Sequence, residues 1–401
     1  MSERRELPDG WRWVKLGEVA EYINGRAFKP EEWSRAGLPI IRIENLTSAT
    51  APSHCYDGLV EQRVRVRTGD LLISWSATLD AFMWDRGDAV LNQHIFRVEE
   101  DPRLVTKQYL YWAVKQAMER IRGRVHGATM RHVTKGEFER TPIILAPLAE
   151  QRRIAAVLNE QMAAVERARA AAQAQLDAAR ALPAAYLRQA FPRPGQPLPD
   201  GWRWVKLGEV CEFVRGVTFD KSEAKSTPSL GSLPILRAGN IAEKLQMHDD
   251  LVWVPESRVD REQLLLLGDI AICLSSGSPA VVGKTAYCER RWRGSVGAFC
   301  GIVRSLEGLD TRYLAHWFRS PSYWQWRDEQ ARGANIQNLR FSELGRLELP
   351  LPPPLEQTRI AWVLNEQMAS VERVRAAAEA QLAQISALPA ALLRRAFSGE
   401  L

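Results

Sequence analysis

Apolar positions along the chain follow two patterns: short runs broken by turn residues, and long stretches spaced by alternating steps of three and four. The long pattern is written twice. From Leu148 to Leu182 it places Ile154, Leu158, Val165, Ala168, Ala172, Ala179 and Leu182 on one side of a helix. From Leu355 to Leu388 the same places fall to Ile360, Leu364, Val371, Val374, Ala378, Ile385 and Leu388. This is the seam of a coiled coil, and two matching seams in one chain most simply bury each other. Ala170 to Ala172 and Ala376 to Ala378 favour helix and leave no bulk between approaching backbones. Pro147 suits the first turn, where a missing N–H costs nothing, and Glu150 suits the positive end of the helix dipole. Pro183 and Pro389 are expected to stop or kink each helix near its far end. About 35 helical residues at ~1.5 Å each make a rod of roughly 50 Å. Val157, Met162 and Leu176 lie off the main seam and are expected on a face for a partner. The packing set is Ile154, Leu158, Val165, Leu176, Ile360, Leu364, Val371, Val374 and Ile385.

The duplication extends beyond the helices. LPDGWRWVKLGEV at Leu7 to Val19 is identical to Leu198 to Val210. Ile154 answers Ile360 at a wider offset, so the second copy carries extra residues in its middle. Each middle holds short β-like runs: LPIIRIENL, DLLISWSAT and AVLNQHIFRV in the first, LPILRAGNI, GDIAICLSS and GAFCGIVRS in the second. Each also has an amphipathic helical stretch, Tyr109 to Ile121 and Tyr313 to Trp326. A glycine-led polar segment closes each middle, GATMRHVTKGEF and GANIQNLRFSEL. The chain therefore reads as two copies of a mixed α/β (α+β) domain followed by a long helix, an internal repeat.

At 401 residues the chain is too long for one ordinary core, and its 46% hydrophobic and 25% charged residues are those of a globular protein. MSERRELPDG shows no apolar signal-peptide core, and the protein is expected in the cytoplasm. The five cysteines form no metal-ligand spacing and are expected to be reduced and mostly buried. A net charge of +6 is compatible with a polyanionic partner. Catalytic signatures are missing. GSPAVVGKT puts five residues between its glycines where a phosphate loop needs four. There is no HExxH, no Asp/Asn-Pro-Pro-aromatic signature of an amino-methyltransferase, and no glycine-rich cofactor loop. The pattern is that of a binder.

Candidate DNA contacts lie in the two middles. Arg122, Arg124, Thr129, Arg131, His132 and Lys135 surround the first glycine-led segment; Arg332, Asn335, Gln337, Asn338 and Arg340 surround the second. Arginine and lysine neutralise phosphates, while Arg, Asn and Gln supply the forks that read guanine and adenine. Arg42 with Asn45, answered by Arg237 with Asn240, read equally as turn-formers or base readers. Arg26, Lys29, Arg215, Lys221 and Lys284 are candidate phosphate contacts. Asn92, Gln93 and His94 stand where the second copy has Ala298, Phe299 and Cys300, the point at which the two middles differ most in polarity.

The repeated LPDGWRWVKLGEV, the helix starts PLAEQRRIAAVLNEQM and PPLEQTRIAWVLNEQM, and the glycine-polar segments together resemble the DNA specificity (S) subunit of type I restriction-modification systems, the HsdS family. The resemblance spans essentially the whole chain. It implies two target-recognition domains, 1–146 and 193–350, each reading one half of a bipartite asymmetric DNA site. It implies two conserved helical spacers, 147–192 and 351–401, packed antiparallel with pseudo-twofold repetition. They would set the gap between half-sites and dock two methyltransferase subunits, with restriction (motor) subunits joining. The chain itself would be non-catalytic and hold no cofactor or metal; S-adenosylmethionine, and ATP with Mg, would be bound by partner subunits. The alternatives are the recognition subunit of a related two-protein restriction system, and a coiled-coil scaffold that binds only protein.

Overall fold

The computed structural model describes residues 7–48, 50–75, 79–124, 134–332 and 338–401. The chain divides into two compact units, Met1–Gln173 with Ala380–Leu401, and Ala174–Glu379. Each unit therefore holds part of both long helices.

The repeated opening segment forms a strand that closes its unit. Arg12–Lys15 pairs antiparallel with Pro142–Leu145, and Arg203–Lys206 pairs the same way with Glu348–Leu351. The glycine of the preceding turn is needed in both units. Gly10 and Gly201 sit at φ +79°, and an added Cβ would lie 3.2 and 3.5 Å from the Cγ atoms of Pro147 and Pro353. Each glycine thus sets the domain's first strand against the entry to its long helix.

Each unit is built around an antiparallel four-stranded sheet. In the first its order is Ala20–Asn24, Ile95–Glu100, Leu71–Ser74, Asp80–Met83; in the second, Cys211–Arg215, Cys300–Ser305, Ile270–Cys273, Thr285–Tyr287. A second sheet accompanies each, four-stranded in the first unit and three-stranded in the second, and both contain a parallel pair: Leu38–Ile41 beside Ala89–Leu91, and Ser232–Leu236 beside Ser295–Val296. With helices set apart from mostly antiparallel sheets, the class is α+β.

Three sequence expectations change. LPIIRIENL is a strand only to Ile41, because Ile43–Thr47 turns into a short helix. AVLNQHIFRV is two strands, one in each sheet, joined by a turn at Asn92 to His94. The helical stretch after the second large sheet is two helices, Thr311–Trp317 and Pro321–Arg332, where the first unit has one, Lys107–Arg124. Pro321 accounts for the break, since it removes an N–H and disfavours helical geometry in the residue before it.

The long helices are Leu148–Ala190 and Pro354–Ala396, 43 residues each, with Pro183 and Pro389 inside them. The prolines do not stop the helix because the turns beyond them are anchored by packing. Leu187 and Phe191 are buried in the second unit's core beside Ile360, Ala361 and Leu364. Leu393, Ala396 and Phe397 are buried in the first unit's core beside Ile154, Ala155 and Leu158. In each unit the head of one helix meets the tail of the other, so the helices run antiparallel. Arg180 reaches Glu379 across them at 3.7 Å.

The buried seam includes Val165, Ala172, Leu176, Ala179, Val371 and Ala378. Leu176 is therefore part of the seam and not off it. Ala168 and its counterpart Val374, 39% exposed, are not on it; Ile385 is half-buried and Leu388 is 43% exposed. Ala168 and Val374 each follow the preceding seam valine by three residues, about 60° short of a full turn. The buried line instead takes a four-residue step, from Ala172 to Leu176.

One buried glutamine fastens each helix to its domain. Gln151 Oε1 accepts from the Thr106 N–H at 2.8 Å, and its Nε2 donates to the carbonyls of Leu104 and Ala146 at 2.9 and 2.8 Å. Gln357 repeats the clamp with the Asp310 N–H at 2.8 Å and the carbonyls of Gly308 and Pro352 at 3.0 and 2.9 Å. Among the described residues no helix is long and apolar enough to cross a membrane.

Candidate nucleic-acid interface

The candidate surface of each unit forms where the turn between its two sheets meets the end of a neighbouring strand. In the first unit the Arg26 N–H bonds the Leu91 carbonyl at 2.9 Å, the Gly25 N–H bonds Ile95 O at 3.2 Å, and the Trp75 N–H reaches His94 O at 3.4 Å. In the second, Val217 bonds Val296 O at 2.8 Å, Gly216 bonds Cys300 O at 3.2 Å, and Leu274 and Ser275 both donate to Phe299 O at 2.9 Å. These matching bonds fix the correspondence between units. Asn92, Gln93 and His94 stand where the second unit has Gly297, Ala298 and Phe299, one residue earlier than the sequence alignment placed them. The approach is close enough to exclude any side chain: a Cβ on Gly25 or Gly216 would sit 2.1 Å from the carbonyl oxygen of Asn92 or Gly297.

The end of the glycine-polar segment joins this surface in the second unit. Asn338 pairs with Ser275 by a β-bridge and is exposed, and the Leu339 N–H donates to Leu274 O at 2.7 Å. Strand end, turn and polar segment thus converge. In the first unit Gln93 is exposed, its Nε2 lies 3.3 Å from His94 Nε2, and the His94 ring lies against Trp75 at 5.4 Å.

Other candidates fall elsewhere or are already occupied. Asn45 and Asn240 are 4% and 2% exposed. Each accepts the N–H of Arg42 or Arg237 at 2.9 or 2.8 Å, and each spends its amide on two carbonyls of the following loop. They are turn-formers with nothing left for a base. Arg26 is held between the rings of Phe28 and Tyr56, bonded to Glu32 and, at 2.9 Å, to the Tyr56 hydroxyl. It braces its own loop and is not a free phosphate contact; Val217 takes its place in the second unit. Arg42 pairs with Glu44 at 3.0 Å, Arg237 with Asp250, and Lys135 with Glu139 at 3.5 Å.

Lys29, Arg215, Lys221 and Arg340 are exposed, and Lys284 is half-buried at the entry to a strand. A strand, not a helix, follows Lys284, so this turn is no phosphate loop. Arg122, Arg124 and Arg332 belong to the last turns of their helices. Thr129, Arg131, His132, Asn335 and Gln337 lie outside the described residues.

One basic feature was missed. Arg63, Arg65, Arg67 and Arg97 line an open groove of about 680 Å³ in the first unit with Glu21, Asp70 and Glu99. The alternation Arg-Val-Arg-Val-Arg at 63–67 is its signal, for it buries Val64 and Val66 and turns the arginines to one face. Arg63 lies 3.8 Å from Glu21, Arg65 bonds Asp88 at 2.6 Å and Arg97 bonds Glu99 at 2.7 Å, so three of the four already face a carboxylate. Among the described residues no group of three or more His, Cys, Asp or Glu is placed to hold a metal ion. The cysteines are unpaired, and all but Cys55 are buried.

Residues 8–172 and 199–375 match the family described as type I restriction modification DNA specificity domain. The chain is 36% identical over 205 residues to the StySPI specificity subunit of the type I restriction enzyme of Salmonella potsdam, covering 51% of this chain and 44% of that protein. It is 36% identical over 188 residues to the EcoKI specificity subunit of Escherichia coli K12, covering 47% and 40%. These matches span under half the length of either relative. Two solved structures share the fold at 22% identity. One, from work on complex assembly and conformational transition of the type I R-M system, has a TM-score of 0.77 over 99% of this chain and 100% of its own. The other, the HsdS subunit from Thermoanaerobacter tengcongensis, has a TM-score of 0.65 over 100% and 99%.

Proposed function

This chain belongs to the type I restriction-modification DNA specificity family, and from that premise we propose that it is the sequence-specific DNA-binding subunit of such a complex. Each unit reads one half of a bipartite, asymmetric DNA site. The observation that carries this reading is the contrast between frame and turn. Clamps, closing strands and glycine contacts repeat residue for residue, while the turn at their focus is Asn92-Gln93-His94 in one unit and Gly297-Ala298-Phe299 in the other. Two equal readers would recognise a symmetric site; two different turns on one frame recognise an asymmetric one. Exposed Lys29, Arg215, Lys221 and Arg340 fit phosphate contacts, which position a protein on duplex DNA without specifying sequence.

The long helices set the gap between half-sites and dock methyltransferase subunits. Leu355 and Trp362, 89% and 64% exposed on the second helix, are apolar surface suited to a protein partner. In this reading the chain is non-catalytic and acts in the cytoplasm. S-adenosylmethionine, and ATP with Mg where motor subunits join, belong to the partners.

The test is a methylation profile. The chain is co-expressed with the methyltransferase encoded beside it, and host DNA is sequenced by a modification-sensitive single-molecule method. A split motif with a fixed gap is the expected result. A continuous motif, or no methylation from an intact complex, refutes the proposal.

A further inference from the structure

The turn of the second unit presents one side chain that nothing in the fold employs. Its backbone is pinned on every side. The Gly297 N–H donates to Leu236 O at 2.9 Å, the Cys300 N–H to Gly297 O at 2.8 Å, and Phe299 O accepts both the Leu274 and the Ser275 N–H. Phe299 is nonetheless 70% exposed. A rigid backbone thus holds a large apolar ring in water at the position where the first unit carries His94, with Ser275 and Asn338 alongside.

We infer that Phe299 is a specificity-determining residue that contacts the 5-methyl group of a thymine in the major groove of the second half-site. The inference rests on the DNA-reading function proposed above. A phenyl ring can neither donate to nor accept from a base edge. Of the four bases only thymine offers the major groove an apolar group, so that edge alone complements the ring. The first unit, with Asn92, Gln93 and His94 at the same place, reads by hydrogen bonds instead. The two turns differ in kind of readout as well as in residue.

The test uses the assembled complex with its methyltransferase on a duplex carrying the methylated site. Each thymine of the second half-site is replaced in turn by deoxyuridine, which keeps every hydrogen bond and removes only the methyl group. One position should weaken binding about fourfold, the worth of one buried methyl group. Phe299→Ala should bind the thymine and uracil duplexes alike, with preferences at the first half-site unchanged. Phe299→Leu, still apolar, should keep the discrimination. The side chain is exposed, so both variants should melt with the parent protein. Sequence-selective binding with no uracil-sensitive position, an undiminished uracil penalty in Phe299→Ala, or a second half-site lacking a T·A pair overturns the inference alone. Loss of all sequence preference in the parent complex overturns the DNA-reading function with it.

Discussion

Replacing Gln357 with alanine tests whether the buried glutamine fastens the long helix to its domain. The side chain is 1% exposed, and its removal strands three backbone groups: the Asp310 N–H and the carbonyls of Gly308 and Pro352. Each buried orphan costs about 1–3 kcal/mol, and water entering the vacated space recovers part, leaving a net loss of about 3 kcal/mol. For a unit of this size that lowers the unfolding temperature by roughly 6–12 °C. Urea unfolding followed by circular dichroism gives the free energy. Hydrogen exchange of the Asp310 amide gives the local effect, which should be much faster exchange than in the parent protein. Gln357→Glu sharpens the test. It preserves shape and the acceptor for Asp310, but sets a carboxylate oxygen against two carbonyl oxygens. It should be worse than alanine at alkaline pH and recover on acidification, when the protonated acid can donate one bond. A loss below about 1 kcal/mol for Gln357→Ala, with unchanged Asp310 exchange, would refute the clamp.

His316 provides a pH prediction. Burial pushes its pKa from 6.5 down to about 4, and its Nε2 donates to Asn365 Oδ1 at 2.9 Å. The unfolded chain binds the proton more readily. Stability is therefore whole above the ordinary pKa and declines toward the folded one, by on the order of 3 kcal/mol across that window. His316→Trp copies the first unit, where Trp112 Nε1 donates to Asn159 Oδ1 at 2.9 Å, and should flatten the decline measured by urea midpoints. An equal slope in both proteins would assign the acid sensitivity elsewhere. Asn240→Ala should lower stability by about 1–3 kcal/mol and leave the recognised bases unchanged, since its amide serves only the turn; altered methylation specificity would contradict this. Inserting seven residues into both long helices, after Gln173 and after Glu379, adds about 10 Å of helix while keeping the seam in phase. The gap in the methylated motif should lengthen by about 3 base pairs with both half-sites retained, and an unchanged gap would end the spacer proposal.

What could be read from the sequence was what the chain writes twice in long periodic form. The two helices, the duplicated domains and the strands that close them all followed from repetition and spacing. Pro183 does not stop the helix because propensity describes an isolated helix, whereas Leu187 and Phe191 beyond it are held by tertiary burial. Leu176 and Val374 were misassigned because a seam that alternates three- and four-residue steps can take either at a given turn, and only the facing surface decides. Asn45 and Asn240 were ambiguous by chemistry: the same amide that forks to adenine also caps a turn, and burial alone separates the roles. The clamps at Gln151 and Gln357 were invisible for another reason. Two of each clamp's three partners are backbone groups more than forty residues earlier, which no side-chain pattern records. The turn register slipped by one because its neighbours are short strands with few residues to align.

The Trp112–Asn159 and His316–Asn365 pairs join side chain to side chain, but most of the bonds described above that repeat between units end on backbone atoms. Both glutamine clamps, both asparagine turns and both glycine contacts do so. The Tyr109 hydroxyl donates to Ile144 O at 2.9 Å and the Tyr313 hydroxyl to Pro350 O at 2.5 Å, on the same plan. A frame held through backbone groups does not depend on the side chains around it. The turns at the focus of each frame are likewise fixed through their backbone, by bonds from Gly25 or Gly216 on one side and from Trp75, or Leu274 and Ser275, on the other. Phe299 therefore holds nothing in place and Gln93 bonds only the neighbouring His94 ring, so replacing either costs the fold little. Under the proposed function, such an arrangement separates what the protein stands on from what it reads, and would let each half-site change without altering the other or the stability of either unit.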